Sequence, residues 1–116
     1  MPDLLETILL DYLSEELKVP VYMEVPETPP ASYVVIQKTG SNRTNRIDTA
    51  MVAIQSIADS LYEAASLNES VKAAMDVFED VNPEIFRTEL NSDYNYTNEE
   101  TKSRRYQAVY NITFKE

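Results

Sequence analysis

Apolar positions recur three or four apart at Leu5, Ile8, Leu9, Tyr12, Leu13 and Leu17, while Asp3, Glu6, Asp11, Glu15 and Glu16 fall mostly outside that stripe. This spacing predicts an amphipathic helix over 3–17, ended by Pro20, which cannot continue a helix and biases Val19 toward extended backbone. Val19–Val25 then reads as a short strand with Val21, Met23 and Val25 on one side. Its prolines, Pro20 and Pro26, favour a sheet edge, where a missing amide donor costs least. Pro26, Pro29 and Pro30 stiffen the link into a β-branched strand over Ser32–Thr39, stopped by Gly40, with Gly40–Arg46 as a polar loop. Ile47–Ile57 is apolar or small on both alternating sets, which predicts a strand covered on both faces.

A second helix starts at Asp59 or Ser60, where Ser60-Leu-Tyr-Glu63 has the pattern of a capping box. It would bury Leu61, Ala64, Leu67, Val71, Ala74, Met75 and Phe78, and end in Asp80-Val-Asn-Pro83. Glu84–Leu90 reads as a further strand and 91–102 as a polar, acidic hairpin tip. From Arg104 onward, Tyr106, Ala108, Tyr110, Ile112 and Phe114 alternate with Arg105, Gln107, Asn111, Thr113 and Lys115, the cleanest period-two pattern in the chain. The expected fold is α+β: one domain over 1–116, a single mixed or antiparallel sheet of about four to five strands, and two helices packed on one face, on the even side of the last strand.

Composition narrows the chemistry. With 116 residues the chain suffices for one layered core. There is no cysteine and no histidine, so thiolate nucleophiles, Cys-based zinc sites, disulfides and the usual general base are excluded. One glycine cannot supply a phosphate-binding loop or a dinucleotide fingerprint. Asp93, Glu99 and Glu100 cluster in the expected hairpin tip, without the spacing of a cation site. No cofactor and no enzymatic activity are expected. No segment has the ~20 apolar residues needed to span a bilayer, and the start Met1-Pro2-Asp3 lacks the basic, apolar form of a signal peptide, so a cytoplasmic origin is expected.

Twenty acids against ten bases give a net charge of −10, which opposes wrapping of nucleic acid. The charges are segregated: residues 1–30 hold seven acids and one base, whereas six of the ten bases are Lys38, Arg43, Arg46, Lys102, Arg104 and Arg105. Such charges are either solvated faces or an acidic and a basic surface suited to head-to-tail association.

The order of an acidic helix, a short strand, Val25-Pro-Glu-Thr-Pro-Pro30, Tyr33-Val-Val-Ile-Gln-Lys-Thr-Gly40, a strand into Asp59-Ser-Leu-Tyr-Glu-Ala64, and Arg104-Arg-Tyr-Gln-Ala-Val-Tyr-Asn-Ile-Thr-Phe114 resembles the small tail-terminator proteins (also called tail-completion, minor tail or head–tail joining proteins) of long-tailed bacteriophages. The resemblance spans nearly the whole chain, through fold-determining rather than catalytic motifs. It implies a structural virion protein forming a ring, a hexamer in that family. Such a ring caps the tail tube, ends its polymerisation and joins the tail to the head connector. The implied partners are copies of itself, the major tail tube protein and the head–tail connector protein. DNA would pass through without specific binding, and no membrane is involved. The implied location is the tail or neck of the virion, after assembly in the host cytoplasm. Expected interface residues are Arg43, Arg46, Tyr94, Tyr96, Arg104 and Arg105, since tyrosine and arginine most often carry interface energy. Asp93, Glu99 and Glu100, or the acidic face of the first helix, are candidates for lining the ring's opening. A head-side connector protein and a cytosolic non-enzymatic adaptor are the alternatives, with a carboxylate-pair hydrolase behind them.

Overall fold

A computed structural model describes residues 4–17, 19–28, 30–44, 47–83, 85–97 and 104–115. Among them, α1 (Leu4–Leu17), β1 (Val21–Tyr22), β2 (Tyr33–Thr44), β3 (Ile47–Ala58), α2 (Leu61–Asp76), α3 (Phe78–Val81), β4 (Ile85–Asn95) and β5 (Arg104–Lys115) follow in order. The strands form one mixed five-stranded sheet ordered β1-β2-β3-β5-β4, in which only β1 and β2 are parallel. The fold is therefore α+β.

One face of the sheet carries the main core. Leu5, Leu9 and Leu13 of α1 and Val71, Met75 and Phe78 of the helical segments after β3 pack on Val34, Ile36, Val52, Ile54, Tyr110, Ile112 and Phe114. The even side of β5 faces the helices, as its alternation requires. Tyr12 joins the helices: its ring lies 5.1 Å from that of Phe78, and its hydroxyl donates to the Ala74 carbonyl at 2.6 Å. Burial, and then the nearby Glu16 carboxylate, raise the Tyr12 pKa. Phe78 is fully buried, so truncation to alanine would cost about 3–5 kcal/mol.

Several boundaries differ from those the sequence suggests. β1 has only two residues, paired with Val34 and Val35, and Met23 and Val25 are exposed rather than sharing Val21's burial. Pro20 contributes only its carbonyl, which accepts from Val34 N–H at 3.0 Å. Gly40 does not end β2. The strand runs on through it to Thr44, pairing with β3 in a long hairpin and losing register once between Lys38 and Gly40. Non-local pairing with β3, which holds as far as Thr44↔Ile47, overrides the weak strand propensity of glycine and serine. The expected loop is thus mostly strand; Arg46 lies outside the described residues.

β3 is buried continuously only from Val52 to Ala58, while Ile47, Thr49 and Met51 are exposed along the projecting hairpin. α2 is capped by Ser60, whose Oγ accepts from Glu63 N–H at 3.1 Å. Leu61 is 40% exposed, against the expectation of burial, and Asn68 takes a core position. The helix breaks at Val77 (φ −112°, ψ 5°), which makes α3 a separate turn and gives three helices rather than two. β4 extends to Asn95 because β5 offers partners as far as Tyr106, with irregularities around Phe86 and Asn91. Asp93 and Tyr94 therefore lie in a strand and not in a hairpin tip.

Candidate interaction surface

Among the described residues, no helix covers the second face of the sheet. Alternation places Gln55 of β3, Gln107 of β5 and Tyr94 of β4 there, and the register sets them in one row: Gln55↔Gln107 and Gln107↔Tyr94. Arg105 Nη1 donates to Gln55 Oε1 at 3.2 Å, Gln55 Nε2 donates to Gln107 Oε1 at 3.0 Å, and Gln107 Nε2 donates to the Tyr94 hydroxyl. Both glutamines are under 10% exposed although no helix lies over them. The two neutral hydrogen bonds contribute about 1 kcal/mol each and the charge-assisted one from Arg105 about 1.5–3 kcal/mol, and more is at stake if one buried partner is lost. The chain of bonds fixes the outward orientation of Tyr94.

Tyr94 and Tyr96 extend this row at the β4 edge. Their rings meet edge-to-face at 5.9 Å, and they are 41% and 48% exposed. Tyr96 N–H donates to the Arg105 carbonyl at 2.8 Å, and Arg105 N–H donates to Thr97 Oγ1 at 3.4 Å. At the opposite edge, Tyr22 and Tyr33 pack edge-to-face at 6.0 Å over Val35 and Ile57. The open face is thus bounded by two aromatic pairs with an amide ladder between them.

Of the residues singled out from the sequence, the structure brings Tyr94, Tyr96 and Arg105 together. Arg104 begins β5 opposite Ala58 and is half-buried. Arg43 has its backbone in β2 opposite Asp48, and its side chain lies outside the described residues, as do Arg46, Glu99 and Glu100 entirely. Asp93 points to the helix face. Its carboxylate accepts from Asn68 Nδ2 at 2.6 Å and from Lys72 Nζ at 2.6 Å, and Lys72 also reaches Glu69 at 2.9 Å. The Asp93 hydrogen bond, with that of Glu69 behind it, holds the Lys72 ammonium well above its ordinary pKa. Tyr110, buried nearby, has its phenol pushed up to about 12, chiefly by desolvation and then by the Asp76 carboxylate.

Gln55, Gln107 and Asn68 were missed from the sequence. Gln55 and Asn68 each interrupt an otherwise apolar buried stripe, a signal that marks them because a buried amide needs a partner, whereas Gln107 falls on the polar side of β5, where the pattern carries no such signal. On the helix side, Ile8, Asp11, Tyr12, Glu15, Val77 and Val81 line an open groove. Among the described residues, no three carboxylates converge as a metal site, and no helix is long and apolar enough to cross a membrane.

The class defined by fold and surface is a single-sheet α+β domain with helices on one face and an open amide-and-aromatic row on the other. No protein-family model matches the chain, and no curated protein does. Among solved structures it is similar to a chain of the virion of a native gene transfer agent (GTA) particle. The two are 17% identical, with a TM-score of 0.49, over 90% of this chain and 84% of that chain.

Proposed function

We propose that this chain is a structural, non-enzymatic virion protein that assembles into a ring, caps a phage tail tube, ends its polymerisation and joins the tail to the head connector. The observation that carries the reading is the open sheet face, where Tyr94, Tyr96 and Arg105 are held by a buried hydrogen-bonded row. A face so ordered, and rich in the residue types that anchor interfaces, suits contact with other proteins. The resemblance of the element order to tail terminators supports the finer role, including a hexamer, the tail tube and connector proteins as partners, and DNA passing through unbound.

The acidic balance of the chain favours passage over retention of DNA. Asp93 is committed to Asn68 and Lys72, which leaves Glu99, Glu100 and the acids of α1 as the proposed lining. The test is native mass by light scattering across concentration and salt, alone and with purified tail tubes. A ring-sized species, or one that appears only on tubes, is expected; a stable compact dimer refutes the proposal.

A further inference from the structure

We propose that copies of this chain join edge to edge, the outer edge of β4 of one copy pairing antiparallel with the outer edge of β2 of the next, so that the sheet runs on unbroken from subunit to subunit. This rests on the ring reading above and specifies its contact. Exposed strand edges are templates for pairing with another chain, and here each outer edge has a stretch with no neighbouring strand among the described residues. β1 covers β2 only at Val34 and Val35, so Gln37–Thr44 has no outer neighbour strand among the described residues. At the other edge, Glu79 Oε2 accepts from Thr88 N–H at 3.2 Å in the first half of β4, and Leu90–Asn95 has no outer neighbour strand among the described residues.

Direction and stagger agree. β2, β3, β5 and β4 alternate up, down, up, down, so repeating the four strands brings β4 beside the next β2 in the same antiparallel sense. Leu90 is level with Lys38, and Asn95 with Val34. Seating Leu90–Asn95 wholly alongside Gln37–Thr44 therefore needs a stagger of about three to five residues per subunit. At a rise of about 3.3 Å over four strands spaced about 4.8 Å apart, four or five residues of stagger tilt the strands by about 35–41°, within the ~35–45° that closed sheets adopt, whatever the number of subunits, whereas three give only about 27°.

The chain has no cysteine, so engineered thiols report this contact directly. A Cβ at Gly40 meets nothing within 4 Å. The double variant Gly40→Cys/Asn95→Cys should give, on mild oxidation of assembled protein, a ladder of covalent oligomers on a non-reducing gel. Each single variant should give at most a dimer. Gly40→Cys/Tyr62→Cys, with its second thiol on the 82%-exposed α2 position, serves as control and should give no ladder. A ring by light scattering that yields no ladder with Asn95→Cys, nor with Tyr94→Cys in its place, overturns the edge contact and leaves the ring reading standing. A ladder equally strong in the control overturns it too. Monomer by light scattering at every concentration and on tail tubes sinks the ring reading, and the contact with it.

Discussion

Replacing Asp93 by alanine separates two views of the β4–β5 hairpin. If Asp93 were an acid in a solvated tip, its loss would change stability by less than about 0.5 kcal/mol, as for most surface positions. The structure instead puts its carboxylate against Asn68 Nδ2 and Lys72 Nζ, each at 2.6 Å. Asn68 is 2% exposed, so Asp93→Ala strands a buried amide donor, at a cost of about 1–3 kcal/mol. Lys72 loses less, because it keeps Glu69 at 2.9 Å and some exposure to water. We expect a loss of about 2 kcal/mol, or roughly 8 °C in Tm for a domain of this size. Urea denaturation followed by circular dichroism reads it as a lower midpoint at unchanged slope. A double-mutant cycle with Asn68→Ala should return a coupling energy of about 0.5–3 kcal/mol. A loss below about 0.5 kcal/mol, or no coupling, refutes the inward placement of Asp93.

Tyr110 should give an alkaline signature. Its phenol ionises more readily in the unfolded chain than in the fold, where it is pushed up to about 12. Its contribution is thus fully present below pH ~10 and is lost as pH rises from there through its folded value. Tyr110→Phe should flatten that part of the stability–pH curve. It should also cost little at pH 7, because the buried hydroxyl has no hydrogen-bond partner; a steep loss at neutral pH contradicts this. Ser60→Ala removes the acceptor for Glu63 N–H and should lower stability by about 1 kcal/mol, measured by the same denaturation. An unchanged midpoint would mean that the start of α2 is held by its packing alone.

The sequence by itself determined what depends on local pattern. The three-to-four spacing from Leu5 to Leu17 marks α1, Ser60 and Glu63 mark the start of α2, and the alternation after Arg104 marks β5 and its core side. Together they imply an α+β domain with helices on one face of a single sheet, because each amphipathic element must bury its apolar side against another. Only the tertiary structure decided how far strands run and which polar groups meet. β2 passes through Gly40 because β3 pairs with it beyond that point, and β4 reaches Asn95 because β5 lies alongside. Gln55 and Gln107 are 52 positions apart in sequence, and Asn68 and Asp93 are 25 apart. No local periodicity encodes such pairs, whose contact depends on strand order and on register, where a slip of one residue would send each side chain to the other face.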